Sequence, residues 1–366
     1  MKLYSFLLLV IFNNTTSVNS QSVTELVNGM KNEIYTSQYI GDNIEHVTLQ
    51  WQFYESLKSI ASIEELISLT NHENPVIRCY SFQALWENKH PIVFNIFKNH
   101  LTDFEPFSAM IGCISYQKTV NEFMLELIGK RNYYLNTQFQ IAFQRDNIRE
   151  QKMTFEEASL HFENIANEAM LYSKYLPDQF IIKLARIIEP KPEYYHRIKH
   201  LFLNSKQRGS NYVRGQTEEL LILLSNYQNP IDTKFIIPYL EAKNVHTLNY
   251  GILAVKKFRS PIFFGYLEKI KERFAAYKFN TVPHFYPYLF DYYEAIALYQ
   301  NKEAKEIFSF ILNSTTEEED LLLHKQHIWL AISNINTPVA DEIRASLNLL
   351  EKDKAEILKL KDRRAN

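Results

Sequence analysis

Tyr80-Ser-Phe-Gln-Ala84-Leu-Trp-Glu-Asn-Lys-His-Pro91-Ile-Val-Phe94 aligns without gaps, at an offset of 170 residues, with Tyr250-Gly-Ile-Leu-Ala254-Val-Lys-Lys-Phe-Arg-Ser-Pro261-Ile-Phe-Phe264. Tyr, Ala, Pro, Ile and Phe are identical. Ser81 faces Gly251 and Leu85 faces Val255, similar in size or character. Upstream, Leu66-Ile67 faces Ile236-Ile237. The offset is four units of about 42 residues, the length of helical-pair repeats. In such a repeat Ala84 and Ala254 are equivalent buried positions on the second helix of two separate units. They are small because neighbouring helices approach within ~8–10 Å. Pro91 and Pro261 then open the following helix at its first position, where the missing amide hydrogen costs nothing.

The rest of the chain supports helices. Ser22/Glu25, Ser62/Glu65, Thr154/Glu157 and Thr315/Glu318 have capping-box spacing, in which hydroxyl and carboxylate satisfy each other's backbone amides. Ser260-Pro261 and Thr337-Pro338 read as a cap followed by a helix-opening proline. The stripe Phe155, Phe162, Ile165, Ala169 has helical period. Only 8 glycines occur in 366 residues, so left-handed turns should be scarce, which argues against a many-hairpin β fold. The expected class is all-α, with roughly fourteen to sixteen helices joined by short loops. One stretch departs from it. Thr137, Phe139, Ile141 and Phe143 alternate with polar or small residues, which is strand period, so a short β-ribbon or loop insertion is expected near 137–152.

Leu66-x-x-Leu69-x5-Pro75-Val-Ile77-Arg78-x-x-Ser81-x-x-Ala84-Leu85 resembles a HEAT repeat, in which a Pro-containing turn follows the first helix and V/I-Arg opens the second. The resemblance is best at 62–103 and weaker at 232–275, where Leu248 replaces the Arg and Val245-His246 the Pro-containing turn. It implies a curved α-solenoid of antiparallel helix pairs, and no single activity. A tetratricopeptide-like unit at Tyr292–Leu312 is a nearby alternative. Some HEAT-like oxygenases ligate two irons with several His-Glu pairs, whereas His72-Glu73 is the only such dipeptide here.

The expected domains are a signal peptide at 1–20, a helical repeat domain at 21–350 and a charged tail at 351–366. Met1-Lys2, the apolar Leu3–Phe12 and the small residues of Val18-Asn19-Ser20 predict cleavage after Ser20. Ten apolar residues are too short to cross a bilayer, and no longer run follows. The chain is therefore expected to be exported, periplasmic or extracellular, with no transmembrane segment. Export favours oxidation, so Cys79 and Cys113 can form one disulfide; two buried thiols are the alternative. Two Cys cannot make an all-Cys zinc site. A net charge of −2 gives no nucleic-acid footprint. Gly209 and Gly215 form no phosphate loop, because Gln216-Thr217 stands where Lys-Ser/Thr is needed.

Chemistry-bearing motifs are weak. His196-x3-His200 shares a helix face, but Arg197 occupies the position of a zinc peptidase's Glu. His324-x2-His327 lacks a neighbouring carboxylate ligand. Glu317–Asp320 suits a helix start. The densest aromatic cluster, Phe285–Tyr293, forms two adjacent helical stripes. Core packing explains them, and Tyr286, Tyr288, Tyr292 and Tyr293 are the candidate binding surface if their hydroxyls reach a concave edge.

These features point to an exported, non-enzymatic binding or scaffolding protein with a protein or peptide partner and no cofactor. A glycan-active enzyme on a helical scaffold and a surface nutrient-binding accessory protein are the alternatives.

Overall fold

The computed structural model describes residues 22–30, 34–36, 47–111, 114–134, 155–207, 215–276 and 286–365. The chain is mostly helical and divides into two compact units, Met1–Ile188 and Glu189–Asn366. No helix among the described residues is long and apolar enough to cross a membrane. The expected ribbon at 137–152, the signal peptide and Cys113 lie outside the described residues.

The first unit contains α1 (Val23–Met30), β1 (Tyr35–Thr36), α2 (Leu49–Ile60), α3 (Ile63–Leu69), α4 (Pro75–Glu87) and α5 (Ile92–Asn99). It continues with β2 (Pro106–Ile111), β3 (Ile114–Thr119), α6 (Val120–Tyr134), α7 (Phe155–Leu171) and α8 (Asp178–Ile187). α4 packs on α6 and α6 on α8, while α3 and α5 flank α4. The Ser22/Glu25 and Ser62/Glu65 capping boxes form; in the second, Ser62 Oγ accepts from Glu65 N–H at 3.2 Å.

The sequence reading did not anticipate the ribbon formed by β2 and β3. β2 pairs antiparallel with β3, from Pro106↔Thr119 to Ile111↔Ile114, and parallel with β1. Its inward residues Phe107 and Ala109 are buried and alternate with Ser108 and Met110. Cys79 is a free, fully buried thiol on α4.

The second unit contains α9 (Tyr195–Gln207), α10 (Gln216–Ser225), α11 (Thr233–Leu240), α12 (Val245–Phe258), α13 (Phe264–Lys269) and α14 (Lys271–Ala275). After these come α15 (Pro287–Ala297), α16 (Lys302–Ser314), α17 (Glu318–Ile332), α18 (Pro338–Leu347) and α19 (Glu351–Ala365). α10, α12, α15, α17 and α19 pack each on the next. α9 pairs with α10, α11 with α12, α13 with α15, and both α16 and α18 with α17. The charged tail is packed: Ile357 on α19 is fully buried with Phe290 and Leu330. Thr337 caps α18 as expected, accepting from Ala340 N–H at 3.3 Å. Thr315 does not cap α17; its hydroxyl donates back to Ile311 O at 2.8 Å.

The two aligned stretches behave alike. Ala84 and Ala254 are both fully buried, and Leu66 and Ile236 both face inward. Asn74 and Asn244, also 170 apart, both cap their helix; Asn74 Oδ1 accepts from Val76 N–H at 2.8 Å and Asn244 Oδ1 from His246 N–H at 2.9 Å. Pro261 opens the 3-10 turn Pro261–Phe263, whereas Pro91 sits one step earlier, as the cap of α5. Both helices end on a left-handed residue, Lys89 at φ 57° and Arg259 at φ 54°. Gln228, Gln300 and Asn348 do the same. Left-handed turns are thus made without glycine, contrary to the expectation from composition.

Candidate functional site

α12 and α15 lie side by side and share one polar face. Helical spacing brings His246, Asn249 and Lys256 onto one side of α12, and Tyr288, Asp291 and Glu294 onto the facing side of α15. The contacts run as a ladder. His246 Nδ1 and Tyr288 Oη are 2.6 Å apart, with the rings edge to face at 5.3 Å. Asn249 Nδ2 donates to Asp291 Oδ2 at 3.4 Å. Lys256 Nζ donates to Asp291 Oδ1 at 2.7 Å and to Glu294 Oε2 at 2.5 Å. Burial works against the Lys256 ammonium, but the Asp291 and Glu294 carboxylates outweigh it and raise its pKa. His246 is exposed and Tyr288 half-buried, so the ladder's upper end meets solvent.

The four candidate tyrosines separate. Tyr286 and Tyr288 keep partly open surfaces. Tyr292 and Tyr293 are fully buried, which corrects their assignment to a binding surface. Tyr292 Oη donates to Leu267 O at 2.8 Å and its ring stacks on Phe274 at 3.9 Å. Tyr293 Oη bonds His324 Nδ1. Both faces of α15 are packed, by α12 and α13 on one side and α17 on the other. A dense aromatic run here supplies core first.

The expected histidine pairs hold no metal geometry. His324 is fully buried, and burial, then the nearby His327, lowers its pKa to about 4. His327 Nε2 accepts from Tyr286 N–H at 3.1 Å while Nδ1 lies 2.8 Å from Leu323 O. Those partners suit a neutral ring with its proton on Nδ1. His196 sits edge to face with Tyr195, and His200 bonds Asn204. Among the described residues no three His, Cys, Asp or Glu side chains are grouped to hold a metal ion. Burial raises the Cys79 thiol well above its usual range, leaving it a poor nucleophile.

A separate open cleft of about 630 Å³ lies between α16 and α18. Phe310 and Val339 line it, and Lys305 crosses it to Glu342 at 2.6 Å. Its carboxylates, Glu306 and Glu342, are exposed and each faces a lysine.

Reading the sequence alone missed His246, Asn249, Lys256, Asp291 and Glu294. A signal was present: His246/Tyr288 and Asn249/Asp291 are each separated by 42 residues, the unit length implied by the 170-residue offset. No family model matches the chain, and neither does any curated protein or solved structure.

Proposed function

We propose that the chain is an exported HEAT-like α-solenoid that binds a protein or peptide partner along its row of second helices and does no chemistry of its own. The observation that carries this reading is the α12–α15 ladder, in which equivalent positions of successive helices meet side by side at a 42-residue spacing. The two-row packing of the second unit and the shared asparagine caps support it. Stacking second helices edge to edge gives one continuous surface, which is how repeat arrays bind extended partners. The ladder's ends differ in character. His246 and Tyr288 offer an aromatic, hydrogen-bonding contact, and Lys256 is held by two acids. That mixture suits a peptide with both polar and aromatic side chains.

Peptides selected from a displayed random library against the full chain test this. Selected peptides should lose about tenfold or more in affinity for the His246→Ala/Tyr288→Ala double variant. Selected peptides that bind the double variant as well as the wild type would place the binding surface elsewhere.

A further inference from the structure

Residues 195–215 contain five cations, Arg197, Lys199, Lys206, Arg208 and Arg214, and no Asp or Glu, although the whole chain is slightly acidic. Where this stretch is α9, it meets α11 through Phe202 and Phe235, whose rings lie edge to face at 5.1 Å. Three ammonium groups gather around the Phe235 ring: Lys199 at 6.0 Å from its centroid, Lys206 at 5.3 Å and Lys234 at 5.2 Å. Lys206 also lies over Phe202 at 4.9 Å. Among the described residues one carboxylate pairs with these lysines. Asp232, almost fully buried, pairs with Lys199 at 2.8 Å. Lys206 and Lys234 are exposed and make no ion pair among the described residues.

We propose that Lys199, Lys206 and Lys234 form a docking patch for an acidic segment of a partner protein. Ammonium groups held over one aromatic ring are attracted to it while repelling one another, so the free patch stores unfavourable charge that carboxylates relieve. The ring also restricts where the lysines sit, which lowers the entropy cost of engaging them. The three groups stand on two adjoining helices around a half-buried ring. That spread suits successive carboxylates on an extended chain better than a single small anion. The patch is built on α9 and α11, shares no residue with the α12–α15 ladder, and does not depend on it.

The test is the affinity of the full chain for a fluorescent oligoglutamate peptide at low salt. Binding should weaken as salt rises, and Lys206→Gln/Lys234→Gln should lower affinity about tenfold. Lys302→Gln, at an exposed lysine on α16, should leave it unchanged. All three positions are at the surface, and thermal melts by circular dichroism should confirm that the variants fold alike. Oligoglutamate binding no tighter than oligoserine overturns the proposal. So does equal loss in Lys302→Gln. Lysine-dependent binding of inorganic phosphate or phosphatidylglycerol vesicles, without binding of the peptide, overturns it as well.

Discussion

α4 and α12 carry the same signature 170 residues apart, yet one is enclosed and the other has an open side. Every residue from Val76 to Trp86 is buried. Tyr80 explains much of this: its hydroxyl accepts from Thr36 N–H and donates to Thr36 O, both at 3.0 Å, pinning β1 onto the helix. Its ring stacks between Tyr35 and Tyr54. Tyr250, its counterpart, is only half-buried. The covered positions Val76, Cys79 and Trp86 correspond to His246, Asn249 and Lys256. Three apolar residues under a sheet and neighbouring helices become three polar residues that form the ladder. The shared positions, Ala84/Ala254 and the caps, set how helices stack. The differing positions set what the stack presents.

The largest effect should come from Arg78, whose counterpart is Leu248. Arg78 is buried, bonding Asp103, Glu105 and the His72 and Glu73 carbonyls. Arg78→Leu makes the first copy resemble the second but takes the guanidinium from Asp103, which keeps His100, and leaves two carbonyls without their donor. Denaturant melts should show a loss of about 3–5 kcal/mol. A near-neutral result would mean that the Arg is as dispensable in α4 as its absence is in α12.

Acidification should next weaken the second unit. The folded pKa of His324 is about 4, below the ~6.5 of an unfolded chain. Between those values the unfolded chain holds a proton that the folded one does not. The stabilisation is complete above pH ~6.5 and is lost as pH falls toward about 4, in total roughly 3 kcal/mol. Amide exchange at pH 5 should quicken first in α15 and α17. His324→Gln, which can still bond Tyr293, should flatten the pH dependence; an unchanged slope would assign it to other groups.

Gly251 and Ser81 test the closeness of stacking. A Cβ on Gly251 would lie 2.9 Å from Leu240 N and Tyr239 C, backbone atoms that cannot swing aside. Ser81, its counterpart, already carries a Cβ and is fully buried. Gly251→Ala should cost about 1–3 kcal/mol, whereas Ser81→Ala should cost far less. Equal costs would mean that α3–α4 and α11–α12 pack at the same distance.

How much of this was legible follows from which interactions are local. Capping boxes at Ser22 and Ser62 involve residues three apart, and spacing announced them. Thr315/Glu318 has the same spacing and fails, because the hydroxyl found Ile311 O one turn back. The burial of Ala84 and Ala254 was readable from two short residues recurring in register. β2 was overlooked although Phe107 and Ala109 alternate with Ser108 and Met110, since a six-residue strand between helices gives little periodic signal. The ladder was invisible one helix at a time: His246 needs Tyr288, 42 residues away, and only the repeat length connects them.

The smallest expected effect tests the left-handed residues that end the two helices. Lys89 and Arg259 hold φ near 55°, a conformation that costs a residue with a Cβ about 1–2 kcal/mol relative to the right-handed region. Glycine removes that cost but loses more conformational freedom on folding, by about 0.5–1 kcal/mol. Lys89→Gly and Arg259→Gly should therefore each stabilise by no more than about 1.5 kcal/mol. Lys89→Val and Arg259→Val should destabilise, because a branched Cβ is tolerated least at positive φ. The informative quantity is the match between members of each pair. If the two turns are equivalent parts of one repeat, the paired changes agree within about 0.5 kcal/mol despite the different cover over α4 and α12. Opposite signs for Lys89→Gly and Arg259→Gly would make the shared φ a coincidence of two unrelated helix ends.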